Sequence, residues 1–127
     1  MKHIYICLLI LPCLYFAKAS LADTFNCTPM NASKVTTVGQ EQYSPKELTV
    51  QIQSDTLALV QERIGGDKTP SAFQIVKEND FILLAIQQKS SGLETVTINK
   101  KLKSLFYSSN KPDFEEIDAE VYRCDLK

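Results

Sequence analysis

The side chains with most capacity for chemistry gather near the C-terminus: Asp113, Glu115, Glu116, Asp118 and Glu120. Two carboxylates at a suitable separation would cleave a glycosidic bond, and several converging on one point would hold calcium. The stretch lacks the Asp-x-Asp-x-Asp-Gly order of a calcium loop, and Phe114 and Ile117 interrupt it. It therefore reads as a solvated acidic face. Gly65-Gly66-Asp67-Lys68-Thr69 has the residue types of a phosphate loop without the spacing, and reads as a hairpin turn. Lys100, Lys101 and Lys103 form a small basic spot. Lys101 and Lys103 would share one strand face, which suits an edge strand kept soluble by lysines or a dock for an acidic partner. Tyr107 and Tyr122 are candidates for aromatic core packing, a ligand cavity or a protein-binding rim.

What is missing narrows the chemistry further. The single histidine is His3, inside an N-terminal segment that reads as a leader, and tryptophan is absent. Without imidazole, Ser-His-Asp and Cys-His catalysis and histidine-ligated metal sites are excluded. Of the four cysteines, Cys7 and Cys13 lie in the same segment. Cys27 and Cys124 remain, without the Cys-x-x-Cys spacing of a redox or metal pair, and are expected to form a structural disulfide. No enzymatic activity and no cofactor are expected.

The leader reading rests on three parts. Met1-Lys2-His3 is a basic tip, Ile4 to Phe16 an apolar run, and Ala17 to Ala22 a small-residue exit. The run is shorter than the roughly 20 residues a membrane span needs, and Pro12 interrupts it. Cleavage fits after Ala19 or after Ala22. Ala22 is preferred because it leaves acidic Asp23 first, with residues 1–22 as signal peptide and 23–127 as one domain. None of Cys7, Cys13 and Cys27 follows a small residue, so no lipid anchor is expected. The expected location is the periplasm or the extracellular space. Losing Lys2 and Lys18 takes Lys plus Arg from 14 to 12 against 15 acidic residues, a net charge of −3. That mild acidity argues against nucleic acid or an anionic membrane surface as partner.

The elements that position these side chains are short and apolar, with turn signals every eight to twelve residues or so. Thr24 to Thr28 reads as a first strand, and Pro29 to Pro45 as a long polar loop. Leu48 to Gln53 alternates, with Leu48, Val50 and Ile52 on one face. Ser54-Asp55 turns into a strand over Thr56 to Ile64, with Ala58, Val60 and Ile64 on one face, and Leu57 and Leu59 beginning the other, which turns polar at Gln61 and Arg63. Ala72 to Lys77 follows, carrying Phe73 and Ile75, and Glu78-Asn79-Asp80 turns the chain. Phe81 to Ile86 reads as a strand buried on both faces, flanked by Asp80 and Lys89 as gatekeepers. After Ser90-Ser91-Gly92, Leu93 to Ile98 alternates with Val96 and Ile98 inward. Asn99-Lys100-Lys101 is the next turn, and Leu102 to Ser108 the next strand. Residues 113–121 fit a helix or a strand; a short turn followed by a strand from Ile117 to Cys124 is preferred. The expected core comprises Phe25, Leu48, Val50, Ile52, Ala58, Val60, Phe73, Ile75, Ile82, Leu84, Ile86, Val96, Ile98, Phe106 and Val121.

The fold expected is all-β: a small antiparallel up-and-down barrel of seven or eight strands, or alternatively a β-sandwich, with its ends joined by Cys27–Cys124. Asn26-Cys27-Thr28 and Asn31-Ala32-Ser33 match the glycosylation sequon and carry weight only in a eukaryotic host.

A leader, a cysteine in the first strand, another in the last and hairpins between them resemble small exported proteins of Gram-negative bacteria. The layout is loosely similar to that of the periplasmic inhibitors of c-type lysozyme, which are disulfide-tied β-barrels. That family's recognition loop has serine and glycine followed by tyrosine and a basic residue. Here Ser90-Ser91-Gly92 is followed by Leu93 and Glu94, so no functional residue is carried over. The expected function is a non-catalytic protein-binding or inhibitor-like module acting on another periplasmic or extracellular protein, through a surface including Lys101, Lys103, Tyr107 and Tyr122. The alternative is a lipocalin-like carrier of a small ligand. Mass spectrometry of the exported protein should find Asp23 as the first residue; a product retaining residues 1–22 would remove the leader reading.

Overall fold

The computed structural model describes residues 23–62 and 66–126; the leader and its cleavage point lie outside them, as do residues 63–65 and 127. The strands are β1 (Asp23–Thr36), β2 (Gly39–Gln42), β3 (Leu48–Gln53), β4 (Thr56–Gln61), β5 (Ser71–Glu78), β6 (Ile82–Lys89), β7 (Gly92–Asn99), β8 (Ser104–Lys111) and β9 (Glu116–Cys124). A single turn of 3₁₀ helix over Pro112–Phe114 precedes β9. Neighbours pair antiparallel in the order β2-β1-β3-β4-β5-β6-β7-β8-β9, and β1 also pairs with β9. That last pairing closes the barrel, and β2 is an extra strand outside the closed circuit. The architecture is the up-and-down barrel expected, not a sandwich.

Two features of the N-terminal third differ from the sequence reading. β1 runs on from Thr28 to Thr36, and β2 folds back on it with Ser33 opposite Gln42 and Thr36 opposite Gly39. Residues 29–45 are therefore largely strand, although they lack an apolar period. Cross-strand backbone pairing supplies what side-chain burial does not. β1 is shared: Asp23 to Cys27 pair with β3, and Cys27 to Val35 pair with β9. A bulge between Pro29 and Asn31 lets the strand bend from one neighbour to the other.

The turns follow local chemistry. Ser54 takes a positive φ in the tight link between β3 and β4. Asn79 Oδ1 accepts hydrogen bonds from the Phe81 and Ile82 amides at 2.8 and 2.9 Å, fixing the β5–β6 turn. Asn99 Oδ1 does the same for the Leu102 amide at 2.9 Å. Gly92 has φ +153, and a Cβ there would overlap the Asn110 carbonyl, so this position requires glycine. The expected Gly65-Gly66-Asp67 turn falls partly outside the described residues; Gly66 does have a positive φ.

Strand alternation fills the barrel from within. Val50, Leu57, Phe73, Leu83, Ala85, Val96, Ile98 and Leu105 form its buried core, with Cys27 and Cys124 beside them. An eight-stranded barrel is just wide enough for side chains to fill. On β4, β6, β8 and β9 the inward parity is the opposite of the one expected. Leu57 and Leu59 face in rather than Ala58 and Val60; Leu83 and Ala85 rather than Ile82, Leu84 and Ile86; Leu105 rather than Phe106; Tyr122 rather than Val121. Phe106 is exposed, and Phe25, Ile52 and Ile75 are only partly buried against the core. Phe81 precedes β6 and is exposed, and Ile82, Leu84 and Ile86 are only half-buried on the outer face, so the segment from 81 to 86 is fully buried on one face alone.

Cys27 and Cys124 stand directly opposite one another in the β1–β9 register and form a disulfide across a sequence separation of 97 residues. Restricting an unfolded loop of that length is worth about 4–5 kcal/mol in the chain-entropy treatment. Replacing both cysteines by serine should therefore lower the melting temperature sharply; an unchanged temperature, or no difference on adding reductant, would show that the bond carries no stability.

Candidate functional site

The two ends of the barrel differ in chemistry. The lower end carries the turns at 54–55, 79–81 and 100–103. The upper end carries residues 37–38, 62, 66–70, 90–91 and 112–115. The interior is apolar below and polar above. β9 shows why: Cys124 must face inward to meet Cys27, and period-two alternation then turns Tyr122, Glu120, Asp118 and Glu116 inward as well. Asp118 and Tyr122 are buried, and Glu116 and Glu120 are half-buried. The expected solvated acidic face is thus corrected. Only Asp113 and Glu115, around the 3₁₀ turn, are exposed.

Charge pairing makes this inward placement tolerable. Lys34 on β1 and Lys111 on β8 flank β9 from either side. Lys34 Nζ lies 2.9 Å from Glu116 Oε1, and Lys111 Nζ lies 3.3 Å from both Glu116 Oε2 and Asp118 Oδ2. The hydrogen bond from Lys34, then that from Lys111, hold the Glu116 carboxyl below its ordinary range. Burial by itself would lower the Lys111 ammonium, but the hydrogen bonds to Glu116 and Asp118 outweigh it and the net direction is upward. Across the barrel, Lys89 Nζ lies 3.2 Å from Glu94 Oε1, and Glu94 is only 8% exposed.

Below this rim lies a hydrogen-bonded group centred on Glu120. Tyr43, in the connection between β2 and β3, donates its hydroxyl to Glu120 Oε2 at 2.7 Å. The Tyr122 hydroxyl donates to Glu120 Oε1 and accepts from Gln61 Nε2 at 3.1 Å. The Tyr43 amide also bonds the Ala32 carbonyl, which fastens the connection to β1. Burial raises the Tyr43, Tyr107 and Tyr122 phenols well above the usual tyrosine range; the Glu120 hydrogen bond adds to this for Tyr43 and Tyr122, and the Glu94 charge for Tyr107. All three remain protonated donors at neutral pH.

Of these side chains, Gln61, Lys89, Glu94, Tyr107, Glu120 and Tyr122 line a cavity of about 120 Å³ toward the upper end. Leu48, Leu59 and Phe73 make its apolar floor. Gln61, Thr69, Ser71, Lys89, Glu94, Tyr107, Glu120 and Tyr122 make its polar wall. The two tyrosines singled out from the sequence therefore meet here, at the inner wall and not on the outer surface. Lys101 and Lys103 lie elsewhere. They sit exposed in the β7–β8 turn at the lower end, Lys103 with a positive φ, and not on the strand face expected of them. The expected partner surface is thus divided between opposite ends.

Sequence reasoning did not assign Glu94, Gln61, Lys89 or Tyr43 to a site, and it placed Glu120 on a solvated face. The signal for Glu94 and Glu120 was present as parity: Glu94 alternates with Val96 and Ile98, and Glu120 with Cys124. Tyr43 had no such signal, because it reaches the site from an irregular connection. Comparison with known protein families, curated proteins and solved structures finds no match.

The Glu116 cluster fixes a sign for acid stability. A carboxyl held below its unfolded value of 4.5 contributes stability that is fully present above that value and is lost as pH falls through the folded value. Between about pH 5 and 3 the melting temperature of the wild type should fall more steeply than that of Glu116→Gln. Parallel curves in thermal melts would show that the cluster is energetically idle.

Proposed function

We propose that this chain is an exported, non-catalytic binding module that recognises another protein through the upper end of its barrel. One observation carries the reading: polar side chains from β4, β5, β6, β7, β8 and β9 converge on one cavity above a filled apolar core. Ligand sites commonly pair a mostly apolar floor with a few convergent polar groups. The cavity size favours a protein partner. Sites for drug-sized ligands run from about 300 to 1,000 Å³, and about 120 Å³ admits a side-chain-sized group. A lipocalin-like carrier role is left with this small mouth, since the lower interior is occupied by core side chains. The non-catalytic part of the reading rests on the lack of any imidazole beyond His3.

Extracellular or periplasmic extract should be passed over the wild type and two variants. One variant alters the mouth (Glu94→Gln with Tyr107→Phe), the other the lower turn (Lys101→Ala with Lys103→Ala). The wild type and the lower-turn variant should retain the same stoichiometric partner, and the mouth variant should lose it. A partner lost only with the lysines would move recognition to the lower end. Retention of nothing by the wild type would remove the binding-module reading.

A further inference from the structure

The mouth has more acceptors than its own cation satisfies. Glu94 and Glu120 both face the cavity, and Lys89 is the one basic residue of its lining among the described residues, which leaves one negative charge in excess among them. Lys89 pairs with Glu94. Glu120 has hydroxyl donors in Tyr43 and Tyr122, but no lysine or arginine among the described residues is within ion-pair distance of it. The neighbouring inner wall is rich in acceptors too: Asp118 Oδ1 and Gln87 Oε1 are buried without a hydrogen-bond partner among the described residues. A carboxylate at the edge of low-dielectric protein attracts a cation more strongly than one in open water does. Phenol rings in the wall favour the same charge, because a ring face is the negative part of its quadrupole.

Size selects among cations. Cavities of about 150 Å³ hold a single benzene-sized group, so about 120 Å³ suits the end of one side chain. The apolar floor of Leu48, Leu59 and Phe73 suits a methylene stem. A bare metal ion would gain nothing from that floor, and the described residues contain no group of three acidic, cysteine or histidine side chains placed to hold one.

We propose that the mouth is a receptor for one organic cation, the ammonium or guanidinium end of a basic side chain presented by the partner protein, seated between Glu94 and Glu120 over the apolar floor. This deepens the binding-module reading and rests on it. Lys89 is then a built-in competitor: its ammonium occupies Glu94 in the free protein and must give way to the guest.

The test uses the disulfide-bonded protein as exported, titrated with n-butylammonium and n-butylguanidinium chloride and followed by amide chemical shifts. n-Butanol and butyrate serve as neutral and anionic controls. Both cations should saturate shifts at Gln61, Ser71, Glu94, Tyr107 and Glu120, and the controls should not. Glu120→Gln should weaken cation binding about tenfold, between the small effect of losing an exposed charge pair and the larger one of losing a buried pair. Lys89→Met should strengthen it several-fold by uncovering Glu94 and removing a like charge from the mouth, a gain that misfolding cannot mimic. Cations that bind no better than butanol, or a Lys89→Met variant no tighter than wild type, would overturn the inference. The binding-module reading would survive that result if partner capture still depended on the mouth, and would fall separately if it did not.

Discussion

The structure depends on the closure between its first and last long strands. β1 lends its lower half to β3 and most of its length to β9, so one strand carries both sides of the seam. The Cys27–Cys124 bond lies where the two pairings meet, at the residue of β1 shared by β3 and β9. A strand register is sensitive to a slip of one residue, which exchanges inner and outer faces along its whole length. A covalent link at one rung removes that freedom for β9. The ladder continues past the bond: the Cys124 amide bonds the Lys103 carbonyl, and the Asp125 amide the Asn26 carbonyl, each at 2.8 Å.

With the register fixed, the upper interior cannot avoid being polar. Glu116, Asp118 and Glu120 share the face of Cys124, and their neighbours supply lysines, tyrosines and a glutamine to match. Buried ion pairs are seldom better for stability than apolar side chains of equal size, because desolvation offsets most of the attraction. An apolar mouth would have served stability at least as well. The polarity therefore adds little to folding, and it surrounds the cavity on which the proposed binding role rests.

Much of the architecture was legible in the residues. Turn signals at Ser54-Asp55, Asn79 and Gly92 marked the hairpins, and two distant cysteines marked the closure. Parity was legible only in β3, β5 and β7, where one face is clearly more apolar. In β4 and β6 both faces carry apolar residues, so Leu57 and Leu83 could not be told from Ala58 and Ile82 by period alone. In β9 the apolar residues Ile117 and Val121 face outward and the carboxylates inward, the reverse of the usual hydrophobic rule. Only the inward cysteine reveals this. β2 escaped because Gly39, Gln40, Glu41 and Gln42 contribute backbone pairing without apolar side chains. Tyr43 escaped because the segment holding it makes its contacts through tertiary structure.

That same β2 has a further consequence. Closure leaves the barrel proper without a free margin, and the extra strand is paired only on the side of β1. All four of its residues are exposed, and none is apolar beyond a glycine. A neighbouring molecule seeking to add a strand would meet a ledge too short and too hydrated to template a second sheet. The one strand edge left unpaired among the described residues is thus a poor template for adding another strand.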